Sequence, residues 1–149
     1  MLIGGEVGGA TAALRLFGEN LDPDAVSSQL GVQPTLAYRK GDRVSTRSEA
    51  RRKQGMWQIE SALPESKSLE EHINSVLSAI QCSCELWERV TGNLSRDIFC
   101  GLFVESQSSG VSLSAAVLRE VVQRGLSIEV DLVVRNGPEN SDPGTFPPA

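Results

Sequence analysis

Two stretches far apart in the chain share one punctuation, and that shared pattern constrains the fold more than any other feature. A strand-like segment, Thr11–Gly18, is followed by Leu21-Asp-Pro-Asp-Ala-Val and then Gly31; a second, Arg96–Glu105, is followed by Leu113-Ser-Ala-Ala-Val-Leu and then Gly125. In the first, Asp22 can cap free helix amides, Pro23 suits the first helical position, and Leu21 can staple onto Val26. In the second, Ser114 is the cap, with Leu113 and Leu118 as the staple. Each glycine fits a left-handed position that ends its helix. Strands are expected after both, at Met56–Leu63 and Leu126–Val134. The latter alternates cleanly, with Leu126, Ile128, Val130, Leu132 and Val134 inward and Ser127, Glu129 and Asp131 outward.

Between the halves, Ser68-Leu69-Glu70-Glu71 is a capping box. It opens one expected long helix over about 69–91, with Leu69, Ile73, Val76, Leu77, Ile80, Cys84 and Trp87 as its apolar stripe and Gly92 at its end. The expected fold is α+β: a ferredoxin-like, four-stranded antiparallel sheet built from two βαβ halves, with an extra long helix between them. One face of that sheet would show Arg15, Phe17, Phe99, Phe103, Glu129 and Asp131, unless a helix or a second subunit of a homodimer covers it. Residues 1–10 are glycine-rich and read as a flexible leader, 11–135 as one domain, and 136–149 as a polar Pro/Gly tail expected to be disordered.

Charge separates one segment from the rest. Pro34–Trp57 holds seven Lys/Arg residues against Asp42 and Glu49, a local charge of +5 in a chain that totals −5. The overall acidity argues against a nucleic-acid footprint spread over the whole surface. Charge runs are most often solvated loops with no further role. The sharper reading places Arg39, Lys40 and Arg43, beside the Gly41-Asp42 turn, in an anion site closed by Trp57. Guanidinium groups bind carboxylates and phosphates bidentately, and an indole face holds a cation or ring. Single-stranded nucleic acid on the basic loop is an alternative. Phe99 and Phe103 resemble the aromatic positions of an RNA-recognition sheet only thinly, because Glu60, Glu129 and Asp131 would share their face and repel phosphate.

No catalytic or metal signature specifies a reaction, and no cofactor is expected. Cys82 and Cys84, placed within one helix, would point about 200° apart; together with Cys100 they read as packing residues. The odd cysteine count suggests a reducing cytoplasm, and no apolar run reaches the ~20 residues of a membrane helix. His72 reads as a structural histidine, though imidazole with Glu71 or Asp42 could in principle move protons in a small enzyme.

The order Leu-x-Leu-Phe-Gly, Leu21-Asp-Pro-Asp, Leu30-Gly31-Val-x-Pro34-Thr35 and Arg39-Lys40-Gly41-Asp42 resembles the bacterial family known as domain of unknown function 4279. So do Gly55-Met56-Trp57, Leu69-Glu-x-His72-Ile73 and the final Leu-Ser-x-x-x-Leu helix followed by a strand. In the last strand the chain departs from that family's pattern, with Val130-Asp131-Leu132 where Asp-Ile-Tyr is usual. The resemblance implies an α+β domain over about 11–134 and no assigned activity, and adds Pro34, Thr35, Lys40, Gly41, Trp57 and His72 as positions to test. The function expected from these residues is non-enzymatic: a binding or interaction module that contacts an anionic small molecule or acidic protein partner through Arg39–Trp57.

Overall fold

The computed structural model describes residues 5–105 and 109–135; the expected tail at 136–149 lies outside them. The elements in order are β1 (Gly5–Glu6), β2 (Gly9–Gly18), α1 (Pro23–Leu30), β3 (Leu36–Tyr38), β4 (Gly55–Glu60), α2 (Leu69–Ser78), α3 (Cys84–Thr91), β5 (Ser95–Val104), β6 (Ser109–Gly110), α4 (Ala115–Gln123) and β7 (Ser127–Val134). The glycine-rich start thus contributes strand: β1 pairs with β6, and β2 begins at Gly9, two residues ahead of the expected Thr11.

Among the described residues, the main sheet has five strands in the order β3-β4-β2-β5-β7. It is mixed: β5 and β7 are parallel, and the other neighbours are antiparallel. The four-stranded antiparallel ferredoxin-like expectation is therefore wrong. In the first half, the strand that returns from α1 parallel to β2 is the three-residue β3, not the Trp57 strand. The chain then turns back, and β4 inserts between β3 and β2, where it buries Trp57 and Ile59. With β4 and β5 occupying both sides of β2, β7 pairs outside β5, so the second βαβ unit is made of adjacent parallel strands.

The helix ends follow the sequence chemistry. The Asp22 side chain accepts from the Asp24 and Ala25 amides, and Gly31 closes α1 at φ 71°. Ser68 and Glu71 form both bonds of the capping box, at 3.1 and 2.8 Å. Gly125 takes φ 65° after α4. The single long helix over 69–91 is a second correction. It breaks after Ser78 and restarts at Cys84, because the Ser83 hydroxyl accepts from the Leu86 amide at 3.1 Å and so caps a new helix. Helix propagation and a local serine cap compete for the same backbone groups, and here the cap wins. Ile80, between the helices, still reaches the core.

One core holds the molecule. Val26 and Leu30 of α1, Ile73, Val76 and Leu77 of α2, Trp87 of α3, and Val117 and Val121 of α4 join Ala12, Leu14, Leu16, Trp57, Ile59, Ile98, Cys100 and Leu102. The strand members share one face, so all four helices lie on that side. The opposite face carries no helix among the described residues. On β7 the alternation holds only in part: Leu126 is buried and Ile128 half-buried, whereas Val130, Leu132 and Val134 are exposed.

Replacing Ser83 by alanine removes the α3 cap and is expected to lower stability by about 1 kcal/mol. Urea unfolding measures it, and an unchanged midpoint would mean that tertiary contacts alone set the break.

Candidate functional site

The basic segment folds as a hydrogen-bonded hairpin. Its root is the turn Arg39–Asp42. The Asp42 amide donates to the Arg39 carbonyl at 3.1 Å, the Arg39 amide donates to Asp42 Oδ2 at 2.8 Å, and Gly41 takes φ 91°. A positive φ at the third residue of such a turn is a glycine position. Across the arms, the Gly41 amide donates to the Arg52 carbonyl at 2.9 Å, the Arg52 amide to Asp42 at 2.7 Å, and the Val44 amide to Ala50 at 3.0 Å. Thr35 ties the preceding strand to β4: its hydroxyl donates to the Gln58 carbonyl at 3.2 Å and accepts from the Glu60 amide at 3.0 Å.

Helix α1 pins the root. The Arg39 guanidinium lies 2.9 Å from Asp22 and 2.8 Å from Asp24, and Lys40 pairs with Glu19. Arg43 reaches Glu49 at 3.2 Å within the hairpin. Beyond the root the cations outnumber the acids, and Arg47, Arg51 and Lys53 are all exposed. Arg52 turns back, with its guanidinium 4.0 Å from the centre of the Tyr38 ring, which joins the hairpin to the helix-free face of the sheet. On that face Arg15 is held by Asp97 through two bonds of 2.9 and 2.7 Å and lies over Phe17 and Phe99. Arg135 lies over Phe103 at 3.8 Å.

The expected site residues do not all converge. Arg39, Lys40, Asp42 and Arg43 share the hairpin. Trp57 is completely buried on the helix side, where its indole N–H donates to Ser27 Oγ at 2.9 Å. It anchors α1 to β4 and offers no ring face to a ligand. His72 is also fully buried; its Nδ1 lies 2.8 Å from Ser61 Oγ, and its Nε2 has no partner among the described residues. Enclosed in this way, it cannot reach a substrate, and Glu71 beside it is occupied by the capping box. Cys82 and Cys84 flank the helix break, half-buried and exposed, so Cys84 is not the packing residue expected. Cys100 is buried, and loss of solvation pushes its thiol up to about 11. Among the described residues no cluster of His, Cys, Asp and Glu could hold a metal ion, and no helix is long and apolar enough to cross a membrane.

Sequence reasoning missed the Arg15–Asp97 pair and the Arg52–Tyr38 stack. Both need the strand register and the path of the hairpin, which no local pattern supplies. Arg47, Arg51 and Lys53 were visible as charge, but not as cations on an ordered support.

This is a two-layer domain, one mixed sheet with helices on a single face, carrying a pinned basic hairpin at one end. The chain belongs to the family described as domain of unknown function (DUF4279), whose model matches residues 8–135. No curated protein and no solved structure matches it.

Two outcomes follow from this geometry. His72→Ala opens a cavity in the core and is expected to cost about 2–4 kcal/mol in urea unfolding. A loss below about 0.5 kcal/mol would contradict its structural role. The second concerns pH. The Ala25 amide, and after it Arg39, holds the Asp22 carboxyl below its ordinary value, and Lys40 does the same for Glu19. Groups depressed in the folded state contribute stability above the ordinary carboxylate pKa of about 4 and lose it as pH falls through their folded values. The hairpin amides of Gly41 and Arg52 are therefore expected to lose hydrogen-exchange protection in that acid range before the β2 amides do. Simultaneous loss would show that the clamp does not hold the hairpin.

Proposed function

We propose that this protein is a non-enzymatic interaction module that takes an acidic protein partner on its basic hairpin. One observation carries the reading: the hairpin is ordered and pinned at its root, while Arg47 at its tip and Arg51 and Lys53 on its returning arm stand exposed. Side chains held on a hydrogen-bonded support lose less freedom on binding than those of a mobile loop, so more of their electrostatic gain appears as affinity. Arg39, Lys40 and Asp42 set the hairpin's position, since Asp22 and Asp24 at the start of α1, and Glu19 before it, already occupy the two cations. Arg47, Arg51 and Lys53 make the contacts, Arg43 being paired with Glu49 within the hairpin.

The shape favours a macromolecular acid over a small anion. Small-ligand sites are concave, and the hairpin projects. The groove between α1 and α3 is lined by Glu19, Asp22, Val26, Val90 and Leu94, with no cation among its walls. The acidic remainder of the protein disfavours nucleic acid, whose phosphates would meet Glu60, Glu129 and Asp131 on the helix-free face.

A fluorescein-labelled decaglutamate peptide serves as the probe, with a 20-nucleotide single strand beside it. Anisotropy is expected to show salt-sensitive peptide binding that weakens at least about tenfold in Arg47→Glu/Arg51→Glu, with unchanged thermal unfolding. Equal binding by the variant, or no peptide binding at low salt, would remove the proposal. Tighter retention of the single strand than of the peptide would replace it with nucleic-acid binding.

A further inference from the structure

A charge withdrawn from water is ordinarily paired, and one arginine of the basic hairpin departs from that rule. Five arginines among the described residues are half-buried. Four of them, Arg15, Arg96, Arg124 and Arg135, each lie 2.7–3.3 Å from a carboxylate. Arg52 is the fifth. Among the described residues its guanidinium has no ion pair and no hydrogen bond, and its one close contact is the Tyr38 ring, 4.0 Å away.

The residue is fixed at both ends. Its amide donates to the Asp42 carbonyl at 2.7 Å, and its carbonyl accepts from the Gly41 amide at 2.9 Å. At the head, Nε is buried without a partner. A guanidinium is planar, and the edge formed by Nη1 and Nη2 points away from Nε. With Nε turned inward, that edge faces solvent. Tyr38, which pairs with Met56 of β4, places it on the helix-free face of the sheet, beside the hairpin root. Asp42 falls opposite Arg52, one step from the Arg43–Arg51 bridge, but its Oδ2 accepts from the Arg39 amide and no ion pair joins it to Arg52.

We propose that the Nη1–Nη2 edge of Arg52, held over Tyr38, is a carboxylate site that takes one Asp or Glu side chain of the acidic partner through two parallel hydrogen bonds. The inference rests on the reading of the hairpin as an acidic-partner surface and adds to it the point of recognition. Arg47, Arg51 and Lys53 are exposed charges that attract an acidic chain without fixing its register. A fork accepts a carboxylate in one orientation only. The ring and the inward Nε hold that fork in place before the partner arrives, so less side-chain freedom is lost on binding. Lysine at this position would keep the charge and lose the fork.

The labelled decaglutamate peptide distinguishes a fork from general charge. Arg52→Lys is expected to weaken its binding about tenfold, and Arg51→Lys less than about twofold. Tyr38→Phe keeps the ring and the affinity, whereas Tyr38→Leu lowers it about threefold. Thermal unfolding and hydrogen exchange at the Gly41 amide show that each variant retains the hairpin. A second measurement uses the wild type alone: in ¹⁵N spectra the Arg52 guanidinium signals are expected to shift through the peptide titration with the affinity read by anisotropy. Unchanged binding by Arg52→Lys, equal losses in the two lysine variants, or Arg52 signals that peptide does not move would each overturn the carboxylate site. If Arg47→Glu/Arg51→Glu still abolishes binding in that case, the hairpin reading stands without it. Absence of peptide binding to the wild type at low salt removes both.

Discussion

Strand β2 lies at the middle of the sheet with Leu14 and Leu16 fully buried, and both of its neighbours run antiparallel to it. Because β4 and β5 flank it in the same direction, the chain must cross back over β2 between them. It does so with α2, the helix that packs most closely on β2. The other helices join the same core, so among the described residues all the helices cover one face of the sheet and none covers the other. Everything distinctive about the protein follows from that one-sided burial.

On the bare face, aromatic rings are half-covered by arginines rather than by a helix. Arg15 is the clearest case: Asp97 satisfies the guanidinium while Phe17 and Phe99 flank it. Arginine suits this place because its planar, weakly hydrated head can stack and form a bidentate bond together. The Asp97 contact holds its pKa still higher than usual, so it stays a cation at any accessible pH. The face is therefore closed by charge rather than left apolar, unlike the β7 edge, where valine and leucine meet water.

Thr35, Arg39, Lys40, Gly41, Trp57 and His72, on which the resemblance to the DUF4279 family was drawn, are building parts of the hairpin and the core. Thr35 ties β3 to β4, Gly41 permits the turn, Arg39 and Lys40 clamp it to α1, and Trp57 fixes β4 to Ser27. His72 fills the core beside Ser61. Their common task is positional. The exposed cations that could meet a partner lie farther along the same hairpin, in the part that looked from sequence like a solvated loop.

Local chemistry alone determined the caps at Asp22, Ser68 and Ser114, the glycine stops at 31 and 125, the inward faces of β2, β4 and β5, and the concentration of charge in Pro34–Trp57. These depend on neighbours a few residues away, which a sequence displays directly. Tertiary structure decided the rest: that three-residue β3 is the return strand, that β4 inserts beside β2, that one helix stops at Ser78 and Ser83 caps another although the apolar stripe continues, and that no described helix covers Val130, Leu132 and Val134. Each of these is a competition between distant segments for the same hydrogen bonds or the same dry surface. Periodicity shows which side of a strand is apolar, but only packing decides whether another element arrives to bury it.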